Sequence, residues 1–277
     1  MIRKPRSVSG GLARRGPSLP PALYGEDYFL SACEGYEEFL RSQGEHLSRR
    51  LQAAFSVAAV RAGMRVLDVG CGRGEIVRHC ARLGVTAIGI DYAEAAVRLS
   101  ARLLRQAGSL PGPAGLAQAD AKFLPFPDAV FDRVLMFDVV EHLFPWELRL
   151  ALREAHRVLK PGGMLVIHTA PNRWYDAYAY PLVRLVRTLQ GMGHLYPANP
   201  RALNVPINEA VHVNEQGPIG LWWSLRRAGF RAVRVWLDTP PQQRQEGPVF
   251  RLLRRVAFGW VPFRWFFERE LFAVATR

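Results

Sequence analysis

The feature that most constrains this chain is a short apolar run that ends in a series of glycines. Arg65-Val66-Leu67-Asp68-Val69 reads as a strand buried on both faces, and glycines follow at positions 70, 72 and 74. A helical pattern resumes from Gly74 to Leu83. Strand, glycine turn and helix in that order let a ligand approach bare backbone beside a helix N-terminus. Such a turn points to a nucleotide-like ligand without choosing among cofactors.

The same alternation recurs downstream. Thr86 to Ile90, ending at Asp91, reads as a second strand, and Ala93 to Ala107 as a helix. Leu116 to Ala119 before Asp120 reads as a third strand, and Phe131 to Phe137 as a fourth. Glu147 to Leu159 is a helix stopped by Lys160-Pro161-Gly162-Gly163, and Met164 to Thr169 is a fifth strand. A helix (Gly217 to Ala228), a strand (Phe230 to Leu237) and a last strand (Leu271 to Thr276) close the chain. Alternation at this spacing predicts an α/β fold with a doubly wound, mostly parallel sheet. One domain over residues 24–277 is expected. It has N-terminal helices over 24–62, an aromatic insert over 171–211 and a basic aromatic insert over 239–268. Residues 1–23, rich in Gly, Pro, Ser and Arg, read as a disordered basic arm.

Charge sharpens this division. The formal net charge is +13, with +5 in residues 1–23 and +7 in residues 226–277, which leaves the middle nearly neutral. Basic ends suit an anionic partner such as a nucleic acid or a phospholipid surface. Equally, they reflect Arg serving as the general surface cation. Cys33, Cys71 and Cys80 form no CxxC pair and no disulfide framework, so a reducing, cytoplasmic setting is expected. No apolar window is long enough to cross a membrane. On a helical projection Val249, Leu252, Leu253, Val256, Ala257 and Trp260 share one face and Arg251, Arg254 and Arg255 another. Segment 249–267 therefore reads either as peripheral contact with an anionic membrane or as a helix packed on the sheet.

Within the glycine turn, two details favour a cationic ligand over a dinucleotide. Asp68 sets a carboxylate two residues before Gly70, where a pyrophosphate would be repelled and a positive group attracted. The third glycine stands at 74, so the dinucleotide spacing GxGxxG is not met.

The motifs together resemble class I S-adenosylmethionine-dependent methyltransferases, in particular the type 11, ubiquinone-biosynthesis-like group. Val66 through Gly74 is similar to the family's first motif, and Gly89-Ile90-Asp91 to its ribose-binding acid. Ala119-Asp120-Ala121 with Leu124-Pro125-Phe126 looks like the adenine-edge motif. Phe131 through Leu143 and Leu159 through Gly163 match the later motifs in order. The resemblance implies a seven-stranded Rossmann-like sheet with an antiparallel last strand, and S-adenosylmethionine as cofactor. It implies that Asp68 orients the methionyl ammonium, with Gly70, Cys71, Gly72 and Gly74 shaping the turn. Asp91, beside Tyr92, would hold the ribose, Asp120 and Ala121 the adenine, and Phe137 and Asp138 would flank the sulfonium. Tyr24 and Tyr28 resemble aromatics that close over the cofactor.

The acceptor side is left open by the sequence. His142, just past the fourth strand, is either a general base or a structural imidazole, with His168 and His212 as further pocket candidates. Asp138, Glu141 and His142 resemble the acid-xx-Glu-His cluster that binds a divalent metal in ubiquinone-biosynthesis O-methyltransferases; Glu-His-Leu also recurs in relatives without a metal. Trp174, Tyr175, Tyr178, Tyr180 and Tyr196 are expected either to wall an acceptor pocket or to pack a small lid. The expected partner is a small-molecule methyl acceptor: lipid-, quinone-, polyketide- or sugar-linked. RNA or protein methylation is the alternative, as is a non-catalytic cofactor-binding subunit. Against amino methylation, Phe137-Asp138-Val139-Val140 stands where an Asn/Asp-Pro-Pro-aromatic tetrad would be.

Overall fold

The computed structural model describes residues 16–203, 205–238 and 263–277. Seven strands form one sheet: β1 (Arg65–Val69), β2 (Thr86–Asp91), β3 (Ala114–Gln118), β4 (Phe131–Phe137), β5 (Leu159–Thr169), β6 (Val233–Leu237) and β7 (Leu271–Thr276). Their order is β3-β2-β1-β4-β5-β7-β6. The first five are parallel, and β7 runs antiparallel to both β5 and β6. The expected Rossmann-like sheet is therefore present. Its strand order reverses between β1 and β4, the crevice where such sheets bind ligands beyond their carboxyl ends.

The helices are α1 (Tyr36–Ser42), α2 (Arg49–Val57), α3 (Glu75–Arg82), α4 (Glu94–Gln106), α5 (Pro145–Val158), α6 (Tyr180–Leu189), α7 (Asn208–Val211), α8 (Pro218–Arg227) and α9 (Phe263–Phe267). Two apolar cores explain why the sheet is covered on both faces. Leu148, Leu152, Ala155, Leu221 and Leu225 of α5 and α8 pack on one face with Leu67, Val134 and Ile167. Ala54, Phe55, Ile76, Val77 and Cys80 of α2 and α3 pack on the other with Val66, Leu135 and Val166. Start signals match physical expectation. Ser48 Oγ accepts the Leu51 N–H at 3.3 Å to cap α2, and Glu147 accepts the Phe144 N–H at 3.0 Å at the head of α5, where Pro145 sits in the first turn.

Three details differ from the sequence reading. Lys160 to Gly163 does not separate helix from strand: β5 begins at Leu159, and its pairing with β4 shifts register between Phe131 and Arg133 to absorb the extra residues. The 171–211 insert, to which the sequence reading assigned no element, contains α6. Residues 17–19 are not part of a free arm; they lie against the domain, with Pro17 O accepting from Trp146 Nε1 at 3.1 Å and Leu19 O accepting from Tyr92 Oη at 2.7 Å.

Candidate active site

A cavity opens at the β1–β4 crevice. Its lining includes Asp68, Gly70, Cys71, Gly72, Asp91, Tyr92, Asp120, Ala121, Phe137, Asp138 and His142. Ten cofactor positions expected from the sequence are thus brought to one site, together with the candidate base. Gly74 stands behind the wall instead. Its φ is +85°, and a Cβ there would meet Ser100 Oγ at 2.8 Å. Gly70 combines φ +75° with a close neighbour, since an added Cβ would sit 2.5 Å from Val139 Cγ2. Both positions demand glycine for the turn to pass between β1, α4 and the segment after β4.

The turn's N–H groups are not free donors. Gly70 and Cys71 both donate to the Ile90 carbonyl, at 2.8 and 2.9 Å, and Gly72 donates to Asp91 Oδ2 at 3.1 Å. What the turn offers is space and carboxylates. Burial, then the nearby charges of Asp91 and Glu75, push the Asp68 carboxyl up to about 8. Burial likewise pushes Asp91 up to about 6, although the N–H groups of Ala93 and Gly72 favour its charge. A cation or a pair of hydroxyls arriving here relieves both groups.

The cations lining the cavity are already committed. Arg73 turns away from the turn: it pairs with Glu75 at 2.8 Å and donates to the carbonyls of Phe29 at 2.9 Å and Glu34 at 2.7 Å. Sequence reading passed over Arg73, yet it anchors the N-terminal segment above the glycine turn. Lys122 bonds Asp120 at 2.9 Å and Glu147 at 2.8 Å. Seven carboxyl side chains and these two cations line the cavity. That donor set suits a ligand with positive charge and hydroxyls, and it gives a pyrophosphate no free partner. S-adenosylmethionine fits it.

The opposite wall comes from the N-terminus. Leu19, Tyr24, Tyr28, Phe29, Cys33 and Glu34 close the cavity, with Tyr24 and Tyr28 edge to face at 5.1 Å. The aromatics of the 171–211 insert do not line it. Tyr175 and Tyr180 form a separate cluster with Tyr196, Leu203 and Phe267, and Trp174 packs against Trp265 and Phe266. Of the two alternatives for these rings, the packed cluster describes them, and the N-terminal segment with Tyr24 and Tyr28 supplies the wall of this cavity.

Beyond β4 lies a set of groups that sequence reasoning did not join. Asp138 holds φ +54°, a left-handed conformation that few residues other than glycine accept. His168, fully buried on β5, meets Asp138 Oδ1 through Nδ1 at 2.8 Å and Glu270 through Nε2 at 3.5 Å. Arg50 of α2 sits 3.7 Å from Asp138, 3.7 Å from Glu270 and 3.8 Å from Glu34. Burial alone would raise the Asp138 carboxyl, but the His168 imidazolium and Arg50 hold it below the usual carboxylate range. Burial alone would likewise neutralise His168, yet Asp138 and Glu270 hold it protonated, up to about 9. Asp138 is therefore a fixed negative charge facing the cavity and a poor base.

His142 is a different case. Its Nδ1 lies 3.1 Å from the Val211 carbonyl and 3.2 Å from Tyr24 Oη. A carbonyl can only accept, so Nδ1 carries the proton and Nε2 keeps its lone pair. Burial lowers this imidazole to about 4, so the ring is neutral. It stands edge to face with His212 at 4.9 Å. Glu141 turns away from the cavity: its carboxyl accepts from Thr169 Oγ1 at 2.8 Å. The metal-ligand set suggested by sequence is thus corrected. The donor atoms of Glu141, His142 and His212 lie within 4.8 Å of one another, whereas Asp138 is bound to His168. His212, just after α7 and far along the chain from His142, carried no spacing signal.

Residues 67–167 match the model of a family described as "Methyltransferase domain". The chain is 37% identical over 127 residues to a probable S-adenosylmethionine-dependent methyltransferase of Mycolicibacterium smegmatis, covering 45% of each chain. It is 34% identical over 156 residues to the ubiquinone/menaquinone biosynthesis C-methyltransferase UbiE of Yersinia pestis, covering 52% of this chain and 60% of that one. The match thus spans about half of these relatives' length. A crystal structure of a SAM-dependent methyltransferase from Archaeoglobus fulgidus shares the fold at TM-score 0.54 and 21% identity, covering 87% of this chain and 99% of that one.

Proposed function

We propose that this chain carries a class I S-adenosylmethionine-dependent methyltransferase domain and that it methylates an O, N or C nucleophile of a small molecule. The acceptor classes in view are lipid-, quinone-, polyketide- and sugar-linked compounds. When bound, the cofactor supplies a methyl group on positively charged sulfur, so the protein's work is alignment, exclusion of water and removal of a proton. The Asp68 carboxylate attracts the methionyl ammonium. Asp91 accepts from the ribose hydroxyls, and Asp120 accepts from the adenine amino group at the edge where Ala121 also lies. Asp138 sets negative charge near the sulfonium, while Tyr24, Tyr28 and Phe29 exclude solvent from above. His142 takes the acceptor's proton on Nε2, with Val211 O holding the tautomer that leaves this nitrogen free.

The observation that carries the reading is the pairing of an acid-rich, cation-poor cavity with a neutral, tautomer-locked imidazole on its wall. A methyl-transfer screen over acceptor classes with labelled cofactor tests it. Label transferred to a small molecule supports the proposal, and label transferred only to RNA or protein overturns the acceptor class.

A second reading has its own observation. His212 Nδ1 is buried without a hydrogen-bond partner, and two imidazoles with a carboxylate suit a divalent ion. Glu141, His142 and His212 would then hold a metal behind the cavity wall, reached from the cavity through His142. Full activity after treatment with EDTA would remove this reading. Contact with an anionic membrane through 249–267 rests on residues of which only 263–267 are described; no helix among the described residues is long and apolar enough to cross a membrane.

A further inference from the structure

Helix α6 has an apolar face that the protein does not cover. Leu182, Leu185, Val186 and Leu189 are between 45% and 80% exposed. Their spacing of three, four and seven residues puts them on one stripe of the helix. The helix is held from its other flank. Tyr180 is buried and donates from Oη to Pro197 O at 2.7 Å, Arg184 Nε donates to Tyr196 O at 3.0 Å, and Arg187 lies over the Tyr196 ring at 5.9 Å. Packing thus fixes the helix with its apolar stripe outward.

The surroundings extend this face. Leu195, in the turn that follows, and Tyr178, in the turn that precedes, are 57% and 65% exposed. Tyr178 meets Phe266 edge-on at 5.6 Å, which joins α6 to α9, where Phe263 and Trp265 are also exposed. Rings of this kind, together with long aliphatic side chains, favour the boundary between water and lipid.

Charge selects the occupant. Residues 177–208 contain no Asp or Glu and carry Arg184, Arg187 and Arg201. Arg201 is paired with Glu215, while Arg184 and Arg187 make no ion pair with any described residue. An anionic surface is therefore matched and a basic one repelled. The four side chains of the stripe offer on the order of 400 Å² of apolar surface, and Tyr178, Leu195, Phe263 and Trp265 enlarge the face further. Its acid-free, positively charged border is what favours shallow insertion at an anionic headgroup boundary.

We propose that α6, with Tyr178, Leu195 and the exposed rings of α9, docks this protein onto an anionic lipid bilayer. The stripe enters the headgroup boundary, and Arg184 and Arg187 remain at the phosphate level with their aliphatic stems along the helix. The proposal is independent of the acceptor and of the basic segment before α9.

Co-sedimentation of the full chain with vesicles tests it. One set is phosphatidylcholine alone, and the other contains phosphatidylglycerol at about one part in three. The wild type should sediment with the anionic vesicles and be released as salt is raised to about 0.5 M. The double variant Leu185→Glu/Leu189→Glu should lose at least about tenfold of that binding while keeping its cofactor affinity by calorimetry, which shows that it folds. Wild-type protein that stays in the supernatant overturns the proposal. So does a variant that binds as tightly as wild type, which would move the contact to the basic segment. A wild-type dimer in sedimentation equilibrium that the variant abolishes, without vesicle binding, assigns the face to a second copy instead.

Discussion

At the β1–β2 end of the cavity the working groups come from two short stretches, residues 68–74 and 91–92, set side by side by parallel pairing of Asp68 with Gly89. At the β4–β5 end they come from Glu34, Arg50, Asp138, His142, His168, His212 and Glu270, which span most of the chain. The first end places carboxylates in a dry turn and leaves them uncompensated, which is the state a cationic ligand relieves. The second end compensates its charges internally, so that Asp138 is ionised and His142 neutral before any ligand arrives. One end is built to be completed by the cofactor; the other has its charges paired in advance and holds a base ready. If that contrast is right, substitutions at the two ends should fail in different observables.

The largest effect is expected at the first end. Asp68→Ala should abolish cofactor binding by calorimetry, a loss of at least about a thousandfold, while the circular dichroism and melting of the domain persist. Removing a buried carboxyl held up to about 8 does not cost the apo fold its stability. Wild-type affinity in this variant would erase the contrast at once.

At the second end, His142→Gln should leave cofactor affinity unchanged and lower turnover roughly 10²–10³-fold, the usual contribution of a positioned base. An equal loss in cofactor affinity would place His142 in the cofactor half and merge the two regions. Turnover that is unaffected would show that the acceptor needs no base.

Arg50→Met should act on stability rather than binding. It leaves Glu34, Asp138 and Glu270 facing one another with only His168 between the latter two. Arg50 keeps a quarter of its side-chain exposure, so the cost should fall below that of a fully buried pair, at roughly 2–3 kcal/mol by urea unfolding. Adding Glu270→Gln should recover part of it, a coupling that a double-mutant cycle reads directly. Additive losses would mean that the network is not one unit.

The contrast also explains what was legible in the sequence. The parallel strands carry continuous apolar runs, and β1, β4 and β7 were read at the bounds they show. Local motifs fixed the first end, because Asp68, Gly70, Asp91 and Asp120 are presented by adjacent strand ends whose order follows from the alternation. The second end had no such signal. Arg50 lies among the apolar positions of α2, and Glu270 precedes the last strand; only the antiparallel return of β7 beside β5, with His168 opposite Phe272, brings that acid to the imidazole. His212 and the carbonyl of Val211 reach His142 from the far side of the insert. The aromatic insert stayed open between wall and lid for a related reason. Rings predict burial but not what they are buried against, and Tyr175 and Tyr180 found one another.

The smallest effect is a pH dependence confined to the first end. Asp68, held up to about 8, is largely protonated at pH 6 in the empty protein. Its raised value stabilises the empty fold below the ordinary carboxylate range, and that contribution is lost as pH rises through about 8. A cationic ligand reverses the preference, because it binds the ionised carboxylate and must displace the proton. Affinity for the cofactor should therefore climb between pH 6 and 8 by about twentyfold, or ~1.8 kcal/mol, with the cofactor's own partial loss of charge near pH 8 counted. Above about pH 8 the cofactor's own α-amino group loses its charge, so the profile should turn over into a bell. Calorimetry with S-adenosylhomocysteine, which carries the same ammonium, measures both limbs. Whatever affinity Asp68→Asn retains should keep the alkaline limb and lack the acid one. An acid limb that survives in Asp68→Asn but disappears in Asp91→Asn would move the titrating group to the ribose acid, held up to about 6. The ammonium would then be held by the turn's shape and not by the carboxylate before it.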